Sequence, residues 1–220
     1  MVALVFGQSN AGNWGDVRAV AGPRVFNLRY RSLTRAADPL RGAEGEGGSV
    51  WTRLGDQIIN AGWYDEVVFV PVSFGASEIA KWTPDQPLFK QIDDAIDDVR
   101  ARGWQFTHLL WHQGESDNAL RIGYADYQLR LRNIVLGLRE RGVGAPMFVS
   151  QATLCGQYAP NNDIRGAQAS VVNHGAAIWA GPDTDVLGAD FRHDGCHLSA
   201  RGQLAAAGLW LAKLAAYERR

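Results

Sequence analysis

Short apolar runs alternating with stretches of helical period restrict the fold of this chain more than any other feature of its sequence. Residues 2–6, 66–72, 106–111 and 146–150 are apolar, β-branched segments, each short enough for a strand buried on both faces. Between and after them, apolar residues recur at helical spacing: Leu88, Ile92, Ile96 and Val99; Tyr127, Leu131, Ile134, Val135 and Leu138; Leu204, Leu211 and Leu214. Right-handed crossovers then give a three-layer α/β/α sandwich around a mainly parallel sheet of about five strands, with a ligand crevice outside the carboxyl ends of the strands.

Polar motifs fall at that edge. Gly7-Gln8-Ser9-Asn10 follows the first strand and Ser73-Phe74-Gly75-Ala76-Ser77 the second. His112-Gln113-Gly114-Glu115-Ser116-Asp117 follows the third, and Gln151 to Cys155 the fourth. Residues 30–50, rich in Gly, Arg and acids and lacking an apolar period, read as a long surface loop over or beside the crevice.

Bulk composition narrows the function. With 220 residues and 46% hydrophobic content, the chain reads as one domain spanning 1–220. Its 22 basic and 23 acidic residues are interspersed, which leaves no footprint for nucleic acid or an anionic membrane and suits a small neutral or weakly charged substrate. Residues 2–6 lack the basic flank and length of a signal segment, so the expectation is a cytoplasmic protein, or a secreted one if a leader precedes this sequence. No apolar stretch approaches the roughly 20 residues of a spanning helix. Cys155 and Cys196 read as free thiols; the alternative is that both lie in loops on the catalytic side, where a bond would pin the segment around His197. No metal-ligand spacing and no phosphate or dinucleotide fingerprint occurs, so neither metal nor cofactor is expected.

Ester cleavage through a covalent intermediate needs an exposed hydroxyl, a base, and donors aimed at the developing oxyanion. Ser9 sits just past a strand, where Gly7 permits a sharp turn. Asp194-Gly195-Cys196-His197-Leu198-Ser199 precedes the C-terminal helix, with Ser199 as its expected N-cap. The three-residue step from Asp194 to His197 lets the acid hold one imidazole nitrogen while the other faces a serine.

With these blocks in order, the chain resembles the SGNH or GDSL-like hydrolases, and among them the sialate O-acetylesterase and carbohydrate acetylesterase branch. Gly7-Gln8-Ser9-Asn10 matches the nucleophile block, Gly75 the second, His112-Gln113-Gly114-Glu115 the third and Asp194-x-x-His197 the fifth. Where that branch often carries Gly-Gly-Thr-Ser, this chain has Phe74-Gly75-Ala76-Ser77. The resemblance implies a flavodoxin-like sheet and a Ser9, His197, Asp194 triad. It also implies an oxyanion hole of the Ser9 and Gly75 N–H groups with the Gln113 amide, and hydrolysis of O-acetyl esters on a carbohydrate such as an acetylated sugar, xylan or sialate. A broad short-chain carboxylesterase or thioesterase, and a non-catalytic carbohydrate-binding domain, are the alternatives. The partner is then a small-molecule or polysaccharide ester.

Supporting roles fall to Asn10, Glu115 and Arg165, with Glu115 expected to accept hydrogen bonds from Asn10 or Arg165 and so fix the nucleophile turn. A glycosidase-like carboxylate pair drawn from Glu115, Asp117 and Asp194 is the rival reading. His112 is expected to pack or hydrogen-bond behind the site, His193 to be a loop residue, and His108 and His174 to be structural or solvent-facing. Trp14 and Trp82 are candidates for stacking on a sugar ring.

Overall fold

The computed structural model describes residues 1–219. Its sheet has seven strands in the order β3-β2-β4-β1-β5-β6-β7, parallel except for β3 against β2. The four expected strands are β1 (Val2–Gly7), β4 (Val67–Ser73), β5 (His108–His112) and β6 (Met147–Gln151). Every second residue of β1 serves a different core: Leu4 and Phe6 face one layer, Ala3 and Val5 the other. Strands with apolar residues on both faces can only sit in the middle of a covered sheet, which is where these four lie.

The three strands beyond these four, which bring the sheet to seven where about five are expected, differ in kind. β2 (Val25–Arg29) and β3 (Ser32–Arg35) form an antiparallel hairpin at one edge, and β7 (Ile178–Asp183) closes the other. Segment 30–50 is therefore part strand and part loop. Arg29 is buried, where its guanidinium meets Asp98 at 3.0 Å; Asp98 also accepts the N–H groups of Tyr30 and Arg31, tying the hairpin to a helix.

Helices cover both faces. α1 (Trp51–Asn60) and α6 (Ala200–Glu218) pack with Trp51, Ile58, Trp210 and Leu214 on one side. α2 (Pro87–Arg100), α4 (Tyr124–Glu140) and α5 (Asn162–Ser170) supply Phe89, Ile92, Leu131, Ile134 and Ile164 on the other, while the short α3 (Glu115–Ala119) follows β5. Fully burying side chains of this size contributes about 1.5–3 kcal/mol each, which makes the two sheet faces the main source of cohesion. Ser199 caps α6 as expected, accepting the Gly202 N–H at 3.2 Å.

Among the described residues no helix is long and apolar enough to cross a membrane. The chain leaves β1 for one side of the sheet and later crosses to β5 on the other side, so β1 stands at the switch point where open α/β sheets form their crevice.

Candidate active site

At the carboxyl end of β1 the backbone turns into a short 3-10 segment, Ser9–Ala11. Gly7 makes this possible: with φ +135° it lies against β5 so closely that a Cβ would stand 2.0 Å from the His112 carbonyl oxygen. Two side chains of the turn tie it to two neighbouring segments. Gln8 Oε1 accepts the N–H groups of Gly114 and Ser116 (3.2 and 3.1 Å), joining it to the start of α3. Asn10 donates to Glu115 Oε1 at 2.9 Å and to the Cys196 carbonyl at 3.3 Å. Ser9 is only 5% exposed, yet it lines a cavity of about 630 Å³.

His197 lines the same cavity. Its Nδ1 lies 2.6 Å from Asp194 Oδ2, while Asp194 Oδ1 accepts the N–H groups of Cys196 (2.9 Å) and His197 (2.7 Å). Burial opposes ionisation of Asp194, but these hydrogen bonds outweigh it and hold the carboxyl well below the usual carboxylate range. With Nδ1 committed to the acid, Nε2 remains for the proton of a nucleophile. The Trp14 ring stacks on the imidazole, centroids 5.2 Å apart, and walls the cavity.

The loop carrying His197 is clamped from below. Cys155 and Cys196 form a disulfide, so the free-thiol expectation is wrong and the alternative holds: the bond joins the loop after β6 to the residue before His197. Gly156 N–H adds a bond to the Gly195 carbonyl at 2.9 Å. Buried Arg192, which sequence reasoning missed, donates to the carbonyls of Cys196, Leu187 and Thr184 from inside the same loop.

Other expectations divide. Gly75 lines the cavity, and its N–H donates to the Glu44 carboxylate. Gln113 does not reach the cavity. It is fully buried, its amide NH₂ donates to the Ser77 carbonyl (3.0 Å) and to Asp117 Oδ2, and its Oε1 accepts the Tyr127 hydroxyl (2.9 Å). Both of its donor hydrogens are spent, so in this geometry Gln113 braces the segment after Gly75 instead of meeting an oxyanion.

Glu115 lines the cavity and takes its hydrogen bond from Asn10, as expected; burial pushes its carboxyl up. Arg165 takes no part in that contact, because Asp183 and Asp185 occupy its guanidinium at 2.7–2.8 Å. Through Asp185, which also accepts from Thr153 and Leu154, Arg165 supports the loop after β6. Asp117 is buried outside the cavity with Ile79 and Gln113 as donors, which removes it from any carboxylate pair.

His112 is buried with Nε2 3.2 Å from the Thr184 hydroxyl, behind the site as expected. His193 is an exposed loop residue whose Nε2 lies 3.2 Å from the Trp14 carbonyl. His108 is buried beside Glu218, and His174 stacks on Trp179. Trp82 is a core residue, which leaves Trp14 as the one of the two tryptophans at the cavity. Glu44 and Tyr158, also in the lining, were missed; both sit in irregular segments whose sequence has no period to read.

A family model described as carbohydrate esterase, sialic acid-specific acetylesterase, matches residues 1–216. No curated protein matches the chain. Among solved structures, a protein of Arabidopsis thaliana is similar over 99% of this chain and 97% of its own, with 17% identity and a TM-score of 0.79. NanS is similar over 100% and 98%, with 15% identity and a TM-score of 0.71. A carbohydrate acetylesterase from Xanthomonas citri is similar over 96% of this chain and 55% of its own, with 15% identity and a TM-score of 0.64.

Proposed function

The chain belongs to the sialic acid-specific acetylesterase family of carbohydrate esterases and is an O-acetylesterase; on that premise we propose that Ser9, His197 and Asp194 remove acetyl groups from a carbohydrate through an acetyl-serine intermediate. The observation that carries this reading is the His197 to Asp194 contact at 2.6 Å beside a cavity that Ser9 also lines.

In the first half-reaction His197 Nε2 takes the Ser9 proton while Oγ attacks the acetyl carbonyl carbon. The tetrahedral oxyanion rests on the Ser9 N–H and on the Gly75 N–H once the exposed Glu44 carboxylate has swung aside to free it. Ser9 opens its turn, where N–H groups have no partner within the helix. Collapse breaks the bond to the sugar oxygen, which leaves with the proton held by His197. Water then gives a proton to the same nitrogen as its oxygen attacks the acetyl-serine carbon; the bond to Oγ breaks, Oγ takes that proton back from His197, and acetate leaves.

Cavity volume supports a leaving group larger than a simple alcohol, and the Trp14 and Tyr158 rings in its lining suit the apolar face of a sugar. The Cys155 to Cys196 bond favours an oxidising compartment over the cytoplasm.

Acetate release from acetylated monosaccharides and xylo-oligosaccharides, set against nitrophenyl acetate and butyrate, tests the substrate. The sugar esters should give the higher kcat/KM. A preference for the butyrate would move the reading to a broad short-chain esterase. Ser9→Ala should lower turnover by at least about 10⁴-fold with the fold intact, since the nucleophile has no substitute; undiminished hydrolysis would sink the assignment of Ser9.

A further inference from the structure

Among the described residues, fifteen line the active-site cavity, including Glu44 and Glu115, and none of them is a lysine or arginine. Glu115 is buried and accepts a hydrogen bond from Asn10. Glu44 is exposed, and its carboxylate lies against the Gly75 N–H at the mouth of the cavity. No salt bridge to Glu44 is formed among the described residues; the neighbouring Arg18 instead reaches Glu46.

The placement of Glu44 is fixed by its backbone. Its N–H donates to the Ser73 carbonyl at 3.0 Å and its carbonyl accepts the Asn13 N–H at 2.9 Å. The Asn13 side chain donates to Ala43 O at 2.8 Å and to Leu40 O at 2.9 Å. Segment 40–44 is thereby stitched between the end of β4 and the chain just past the nucleophile turn. The side chain can swing away from Gly75 when an acyl oxygen arrives, but its charge cannot leave the rim.

We propose that Glu44 is a specificity-determining residue that rejects sugars carrying a carboxylate beside the scissile acetyl, so that the site takes acetyl esters of uncharged sugars. The proposal rests on the acetyl-carbohydrate reading above and narrows it. It also sets this chain apart from the substrate in its family's description, because a sialic acid presents a carboxylate and the described lining offers that carboxylate no lysine or arginine. Two negative charges about 6 Å apart at a partly solvated rim repel enough to cost about ten- to a hundredfold in kcat/KM. An unpaired anion already in place is a repulsive element that added attractive contacts elsewhere must overcome.

The experiment compares matched pairs in which only the charge differs: O-acetylated glucuronic acid and its methyl ester, and O-acetylated sialic acid and its methyl ester. Wild-type enzyme should prefer each methyl ester by at least about tenfold in kcat/KM, and added salt should shrink the preference. In Glu44→Gln, which keeps size and polarity, the preference should fall below about threefold. Equal rates on acid and ester in the wild type, or a preference that survives Glu44→Gln undiminished, would overturn the proposal alone. The salt dependence of the wild-type ratio gives an independent reading should the variant fold poorly. Hydrolysis of none of the four sugars, with nitrophenyl acetate still cleaved, would overturn the acetyl-carbohydrate reading and this proposal with it.

Discussion

Asp194 does two jobs with two oxygens: Oδ1 holds the loop through the N–H groups of Cys196 and His197, and Oδ2 holds the imidazole. Asp194→Asn separates them. The asparagine oxygen can still accept the two backbone N–H groups, but its NH₂ would face Nδ1 and favour the tautomer that carries hydrogen on Nε2, which cannot accept the Ser9 proton. We therefore expect kcat to fall by about 10²–10⁴-fold while KM and the melting temperature change little. A loss under threefold in steady-state assays would mean that His197 works without the acid. The Asp194 and His197 pair is legible in the sequence because it is local, an acid three residues before a histidine, whereas the cavity that Ser9 and His197 both line joins positions far apart along the chain. Gln113 follows β5 as its sequence block implies, but its amide turns away from the cavity. Where its amide points depends on Asp117 one helical turn ahead and on Ser77 in the loop after β4, and the second of these is not visible along the chain.

At the scale of elements, β1, β4, β5 and β6 were legible because both of their faces are covered, so nearly every residue in them is apolar. The edges were not. β2 breaks its apolar run with Asn27 and Arg29, both buried among polar partners, β3 is polar where its end meets solvent at Thr34 and Arg35, and the end of β7 contains Gly181 and Pro182. The loops were least legible, and in them the disulfide matters most for the site. It joins two segments with a sequence separation of 41 and meets the chain one residue before His197. Closing a loop of that length stabilises a fold by about 4 kcal/mol in the chain-entropy account. The hydrogen bonds between Asp194 and His197 lie within one turn and survive its loss, whereas the position of that turn relative to Ser9 does not. The Cys155→Ser/Cys196→Ser double variant should melt at a lower temperature and lose kcat several-fold, and thiol reduction of the wild type should do the same reversibly. A double variant with unchanged kcat would show that Asn10 and Arg192 suffice to hold the loop.

Across the whole molecule, chemistry gathers at the carboxyl edge of the sheet, and the opposite edge ties down the two ends of the chain. There His108, at the start of β5, lies with Nε2 3.0 Å from Glu218 Oε1 near the end of α6, and Tyr64 donates to the same oxygen at 2.7 Å. Burial among Tyr64, Phe148 and Tyr217 pushes the imidazole down to about 4, although Glu218 pulls the other way. An unfolded histidine titrates near 6.5, so between about pH 6.5 and 4 the unfolded chain holds a proton on His108 that the folded protein does not. Stability from this group is therefore full above pH 6.5 and is lost as the pH falls toward 4. Other buried groups shift as well: burial lowers His112 in the same sense and raises Asp117 to about 6 in the opposite one. The total pH dependence thus mixes several signs, and a difference isolates one. Denaturant unfolding of wild type and His108→Asn at pH 7.5 and pH 4.5 gives four free energies. The variant loses the contact with Glu218 at both pH values but carries no titrating ring, so its deficit relative to wild type should shrink by about 2–3 kcal/mol at the lower pH. A deficit of equal size at both pH values would mean that His108 takes up its proton as readily in the folded protein as in the unfolded one.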